Sequence, residues 1–281
     1  MVKVGIIGGS GIYDPSMFDH VKEQKVRTPF GTPGDSFIVG SMNGIEAVFL
    51  SRHGRGHKYS PTDLNYRANI YGMKKLGVTH IISVSAVGSL KESLKPLDIV
   101  IPDQVYDRTT KRVSTYFEGG IVAHISFADP FCRKLSDILY ETAKEKYRVH
   151  NGGTYLCMEG PQFSTKAESR IYRKLGFDVI GMTALPEAKL AREAEICFAI
   201  LATITDYDVW YEEPVSIGQV IEYAAKNEEA VKDILRRAVG RIEDTDCPCR
   251  HALEGAIATS PDAIPEKVKR DLKPLIGPYI K

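Results

Sequence analysis

The chain has 281 residues, with 37 lysines and arginines against 36 aspartates and glutamates, so its formal net charge is +1. That balance excludes a nucleic-acid groove or an anionic-membrane patch as the main business, because both need concentrated basic charge. At 43% hydrophobic and 26% charged residues the chain can bury a full core, and no apolar run approaches the ~18–20 residues of a membrane span. The start, MVKVGIIGGSGIY, breaks at glycines and does not read as a signal peptide, so a soluble cytoplasmic protein is expected.

In chain order, apolar runs stop abruptly at small or polar residues. Residues 4–7 run into Gly8-Gly9-Ser10-Gly11, and residues 47–50 into Ser51-Arg52-His53-Gly54. Residues 81–84 precede Ser85-Ala86, 179–182 precede Thr183, and 198–204 precede Thr205-Asp206-Tyr207-Asp208. Continuous apolar runs of this length suit strands covered on both faces by helices. Asn43-Gly44 between two short runs reads as a tight hairpin turn.

Helices are expected between them. Ser60-Pro61 opens one that closes at Gly77, and Asp129-Pro130 opens another, with Phe131, Leu135, Ile138 and Leu139 on one face. Thr165 with Glu168 has capping-box spacing before a helix ending at Gly176. Ser216 with Gln219 repeats it before a long amphipathic stretch carrying Val220, Ile221, Ala224, Val231, Ile234, Leu235 and Ala238. The alternation predicts one α/β/α layered domain over residues 1–281, with a twisted mixed sheet between helices and a helical part after about residue 240.

Ligands in open α/β sheets lie beyond the carboxyl ends of the strands, so the strand-end clusters are the place for chemistry. Glycines at 8, 9 and 11 let backbone approach an anion, yet neither a dinucleotide fingerprint nor a P-loop follows. A nicotinamide-type oxidoreductase is therefore a distant alternative. Arg52 offers a fork suited to phosphate oxygens, and Ser85, Ala86 and Thr183 add hydroxyl or N–H donors. Asp206 and Asp208 beyond a buried strand are costly unless paired or functional, and an acid so placed can protonate a leaving group. Of the five cysteines, Cys132, Cys157 and Cys197 read as small core residues. Cys247-Pro248-Cys249 lies near His251 but has no second Cys/His pair at ligand spacing, so no metal is expected there. It reads as a C-terminal loop, with a disulfide as the sharper alternative.

The collinear segments GIIGGSG, TPFGTPGD, RHGRGH, SAVGSL, DIVIPDQ, DRTT, MEGPQFST, GMTALPE and TDYD are together distinctive. With them the chain, to about residue 240, resembles the S-methyl-5'-thioadenosine phosphorylases, the trimeric branch of the purine nucleoside phosphorylase superfamily. The resemblance implies a phosphate site at Ser10, Arg52, His53, Ser85, Ala86 and Thr183, with Met182 against the ribose. It implies a purine pocket of Phe163, Ser164, Ile180, Thr205, Asp206 and Asp208, in which Asp206 serves N7 as the catalytic acid and Asp208 the 6-amino group. The 5'-alkylthio pocket maps onto Ile217, Val220 and Ile221, with His124 reaching in from a neighbouring subunit of a trimer or a hexamer; plain helix core is the other reading of the three aliphatics.

Relatives acting on 6-oxopurines resemble GPxFET and TN where this chain has Gly160-Pro161-Gln162-Phe163-Ser164-Thr165 and Thr205-Asp206. A 6-aminopurine has no N1–H to give, and its amino donors suit a carboxylate. Phosphorolysis of methylthioadenosine is thus implied, with inorganic phosphate as co-substrate and no metal or organic cofactor. The alternatives are a phosphorylase of adenosine, inosine, guanosine or methylthioinosine, and a nucleosidase in which water replaces phosphate.

Overall fold

The apolar runs form strands buried on both faces. The computed structural model describes all residues except Ser10, Gly11, Tyr13, 212–214 and Lys281. Its strands are β1 (Lys3–Gly8), β2 (Asp19–Gln24), β3 (Phe37–Met42), β4 (Ile45–Ser51), β5 (His80–Ser89), β6 (Ile99–Ile101), β7 (Gln104–Arg108), β8 (Val149–Asn151), β9 (Thr154–Met158), β10 (Val179–Gly181) and β11 (Cys197–Asp206). The helices are α1 (Tyr66–Lys75), α2 (Arg133–Ala143), α3 (Lys166–Lys174), α4 (Ala184–Glu193), α5 (Ile217–Val239), α6 (Glu266–Asp271) and α7 (Lys273–Ile276).

All the strands join one mixed sheet, ordered β2-β3-β4-β1-β5-β10-β9-β7, with β11 on β5, β6 on β11 and β8 on β6. The expected mixed sheet flanked by helices is what forms. Asn43 and Gly44, both at positive φ, make the tight turn between β3 and β4. Every residue of β11 is buried, as its uninterrupted apolar run requires.

The sheet forks at β5. One edge pairs in parallel with β11 from His80 to Gly88. The other pairs with β1 only as far as Ser83, and β10 takes up that edge in antiparallel fashion at Gly88 and Ser89. Residues 84–87 therefore have no strand partner on one side. Ala86 within this stretch is the single exposed position of an otherwise buried strand. This is where the sheet opens.

Two helix starts differ from the expectation. Ser60-Pro61 begins a turn, in which the Ser60 hydroxyl donates to Asp63 Oδ2 at 2.6 Å. The helix itself starts after Asn65, whose side chain accepts from the Ala68 N–H. Likewise α2 starts after Cys132 rather than at Asp129-Pro130, because the Cys132 N–H is held by Phe198 O at 2.7 Å. The Thr165–Glu168 capping box forms as expected, with Gly176 at positive φ beyond the helix end.

The long helix α5 departs further. Its N-cap Ser216 accepts from the Gln219 N–H, but the buried face begins at Asn227 and continues through Val231, Ile234, Leu235 and Ala238. Ile217 and Ile221 are 65% and 63% exposed, so the first turns are not core. Beyond residue 240, Leu253, Ile264, Leu272, Leu275 and Ile276 pack into the same apolar cluster as Ile7, Tyr71 and Ile200.

The two halves of α5 should respond differently to truncation. Leu235→Ala is expected to cost about 2–5 kcal/mol, and Ile221→Ala no more than about 0.5 kcal/mol, in urea unfolding.

Candidate functional site

The fork at β5 gathers side chains from the carboxyl ends of several strands. Arg52 follows β4, and its backbone N–H reaches back to Gly8 O at 2.9 Å, tying the ends of β1 and β4 together. Its guanidinium is buried and bonds to Glu187 of α4, Nε to Oε1 at 2.5 Å and Nη2 to Oε2 at 3.1 Å. Nη2 also donates to Ser83 Oγ at 2.8 Å, and Nη1 to Val84 O at 3.1 Å. The fork expected to clasp phosphate thus has a carboxylate in it already. Among the described residues Nη1 makes this one hydrogen bond and has a second N–H, and the ion pair adds no net charge to the site. Glu187 was not singled out in the sequence; a glutamate in a helix carries no signal of a buried partner 135 positions away.

His53 is buried beside it. Its Nδ1 lies 2.9 Å from Tyr59 O, and its ring stacks on His57 at 4.2 Å between centroids. Burial, and then the Arg52 charge, lower its pKa to about 4, so the ring is neutral at pH 7. With Nδ1–H donating to the carbonyl, Nε2 is left as an acceptor.

Ser85, from the stretch of β5 that is paired on one side only, lies 3.3 Å from Thr183 Oγ1 and 3.0 Å from the Tyr155 hydroxyl. Thr183 is the N-cap residue of α4, but its side chain makes no capping bond. Tyr155 is wholly buried and its pKa is pushed up by burial to about 12, so it remains a neutral hydroxyl. Gly181 is required here, because a Cβ at that position would overlap the Tyr155 oxygen. Ala86 completes the set as the exposed strand position. Ser10 lies outside the described residues.

Across the fork, β11 delivers the two acids. Asp206 Oδ1 accepts from the Asp208 N–H at 2.7 Å, and Oδ2 lies 2.7 Å from the Thr205 hydroxyl. Burial raises its pKa against those two hydrogen bonds. A Cβ on Gly88 would come within 2.7 Å of Asp206 Oδ1, so the missing side chain is what admits the carboxyl. Asp208 takes a left-handed conformation with φ 53°. Burial raises its pKa too, opposed by the nearby Ser169 and Ser164 hydroxyls. Those hydroxyls do not reach hydrogen-bond geometry. Asp208 Oδ2 and Ser169 Oγ are both buried without a hydrogen-bond partner among the described residues. A buried acceptor without a protein partner is a group that a ligand's donor can satisfy.

Of the other positions expected to line a purine pocket, Ile180 abuts Gly88 as Asp206 does, and Ser164 lies near Asp208. Ser164 and Ile180 are buried, and Phe163 is 38% exposed. Met182 is half-buried, and its carbonyl accepts from Arg112 Nη1 at 2.6 Å. Arg112 also donates to the carbonyls of Leu185 and Glu159 and to the Glu159 carboxylate, so it fixes the loops that carry Gly160 and Met182. This positioning arginine carries no sequence signal either, because most of its partners are backbone carbonyls and its one carboxylate, Glu159, lies 47 positions away. His124 is exposed, in a segment whose N–H bonds to Ala256 O at 2.9 Å, and makes no hydrogen bond with these residues among those described. Ile217 and Ile221 present bare apolar surface at the start of α5, and Val220 is half-buried. The plain-core reading therefore fails for Ile217 and Ile221.

Hydroxyl and N–H donors at Arg52, Ser85 and Thr183, with two buried acids at and just beyond the end of β11, mark the strand ends of this α/β sheet as the site of an enzyme acting on a small ligand. The chain belongs to the phosphorylase superfamily, whose model matches residues 3–240, and within it groups with the S-methyl-5'-thioadenosine phosphorylases. It is 55% identical over 282 residues to the S-methyl-5'-thioadenosine phosphorylase of Geobacter sulfurreducens, covering 99% of each chain. It is 52% identical to that of Koribacter versatilis, covering 99% of this chain and 96% of the other. Among solved structures, a methylthioadenosine phosphorylase from an antarctic soil metagenomic library superposes with TM-score 0.93 at 45% identity, covering 98% of both. A Schistosoma mansoni methylthioadenosine phosphorylase in complex with adenine gives 0.84 at 35%, covering 99% and 98%. No helix among the described residues is long and apolar enough to cross a membrane.

Glu187→Gln leaves the Arg52 charge buried without a counter-ion and should cost about 3–5 kcal/mol in chemical denaturation. The raised pKa values of Asp206 and Asp208 have the opposite sign from the usual stabilising acid. The folded chain keeps protons that the unfolded chain has released, so stability falls as pH climbs from the ordinary value of 3.8 through the native values. Denaturation of Asp206→Asn/Asp208→Asn across that window should show a shallower loss than the wild-type chain.

Proposed function

We propose that this chain catalyses phosphorolysis of S-methyl-5'-thioadenosine to adenine and 5-methylthioribose 1-phosphate. The observation that carries this reading is the buried Asp206–Asp208 pair, with raised pKa values and one oxygen unpartnered among the described residues, on a sheet whose β5 sets Ser85 beside Thr183. The high identity to full-length S-methyl-5'-thioadenosine phosphorylases supports the substrate assignment.

As the C1'–N9 bond lengthens, the ribose takes on oxocarbenium character and the purine gathers negative charge. A protonated Asp206 delivers its proton to N7, and neutral adenine leaves with the bonding pair. Asp208 Oδ2 accepts from the 6-amino group, which satisfies it and disfavours a 6-oxo acceptor at the same place. Phosphate oxygen attacks C1' from the opposite side and forms the new C–O bond. Ser85, Thr183, the second Nη1–H of Arg52 and backbone N–H groups hold the phosphate, with Ser10 assigned to the same cradle. Neutral His53 takes a hydrogen bond from a protonated phosphate oxygen at Nε2. Met182 lies against the ribose, and Phe163, Ser164, Ile180 and Thr205 line the base.

The assignment needs no metal or organic cofactor. Exposed Ile217 and Ile221, with Val220, form the alkylthio wall, and a neighbouring subunit's His124 closes it in a trimer or a pair of trimers. A cytoplasmic location belongs to the same proposal, and free thiols are compatible with it.

Adenine release should require inorganic phosphate and be faster from methylthioadenosine than from adenosine or inosine; release without phosphate would mean hydrolysis instead. Asp206→Asn should lower kcat by about 10²–10⁴ while leaving the KM for phosphate unchanged. Wild-type kcat should fall with rising pH as Asp206 loses its proton, and the Asn variant should lack that limb.

A further inference from the structure

The nucleoside site leaves unexplained a cluster at the other end of the sheet. Cys132, Cys197, Cys247 and Cys249 are all buried, and their four sulfur atoms lie within 4.8 Å of one another. Three separate segments supply them. Cys132 is the N-cap of α2, Cys197 opens β11, and Cys247 and Cys249 flank Pro248 in a short turn. The fifth cysteine, Cys157, belongs to a different strand and is not part of the group.

We propose that these four thiols form a tetrathiolate site for one zinc ion, which fastens the C-terminal segment to the sheet. Tetrahedral zinc with Zn–S bonds of ~2.3 Å sets neighbouring sulfurs ~3.8 Å apart, and a disulfide would draw two of them to ~2.05 Å. Cys132 Sγ and Cys247 Sγ are 3.5 Å apart, close to a tetrahedral edge and far from a bond. The ligands are also held in place without the ion. The Cys132 N–H bonds to Phe198 O at 2.7 Å, the Cys197 N–H to Thr79 O at 3.0 Å, and the Arg250 N–H to Cys247 O at 2.9 Å.

Binding releases four thiol protons to solvent and forms four Zn–S bonds, with no electron transferred. The product carries two negative charges, and Lys134 and Arg250 border the segment that receives them; Lys134 Nζ already holds Asp246 O at 2.6 Å. Four protein ligands leave no coordination position for substrate, so the role is structural. Cys197 and Asp206 are the first and last residues of a ten-residue strand, which separates the cluster from the acid by about 30 Å.

The test uses the full chain without a metal-binding tag, produced in zinc-supplied medium and purified under reductant. Elemental analysis should give about one zinc per chain. Chelation should lower the melting temperature and zinc should restore it, and cobalt in its place should produce thiolate-to-cobalt charge-transfer absorption. Cys249→Ser should lose the metal and Cys157→Ser should keep it. Should Cys249→Ser fail to fold, the wild-type zinc content and the cobalt spectrum decide alone. Absence of stoichiometric zinc with no cobalt band, or an intact mass showing the thiols joined as two disulfides, overturns the proposal. Neither result bears on phosphate-dependent adenine release, so the two readings stand or fall separately.

Discussion

A guanidinium without water must find its counter-charge inside the protein, and the neighbourhood of Arg52 is organised by that requirement. Glu187 answers it from α4, Ser83 and Val84 from β5, and Gly8 O receives the backbone N–H. One residue thereby binds the ends of β4 and β1 to the strand that forks and to the helix beginning at Thr183. The strand ends around the fork are held in place because this pair cannot be loosened cheaply. An ion pair also presents a neutral floor to an anion. In the proposed phosphate cradle, attraction must then come chiefly from oriented hydroxyl and N–H dipoles, which act without a net charge to draw in every passing anion.

The two acids at the end of β11 work against stability. Each is buried far enough to hold its proton above the ordinary range, and one keeps an oxygen unpartnered among the described residues. A sheet chosen only for stability would place apolar residues there. Gly88 and Gly181 show the same accommodation in the backbone: one gives up a side chain to admit Asp206, the other to admit Tyr155. Strain and desolvation of this kind concentrate where a ligand later supplies the missing partners.

At the opposite end of β11 the same strand opens on Cys197. In the chain Cys132 and Cys197 stand far from Cys247 and Cys249, and each on its own is an ordinary small buried residue. Only the pairing of β11 with its neighbours, and the return of the C-terminal segment across α2, makes four thiols one group. That distance is why the Cys247-Pro248-Cys249 motif reads as a loop until the fold is known.

The sequence alone determined the local pattern. Apolar run lengths marked β1, β4, β5, β10 and β11, Thr165 and Ser216 marked their helix starts, and the strand-end clusters held Arg52, Ser85, Thr183, Asp206 and Asp208. These signals are legible because they depend on neighbours a few residues apart. The tertiary structure decided what those residues do to one another. It gave Arg52's fork to Glu187, recruited Arg112 and Tyr155, exposed Ile217 and Ile221, moved two helix starts, and gathered the cysteines. Burial and partner choice arise between segments brought together by the sheet, and no spacing along the chain encodes them.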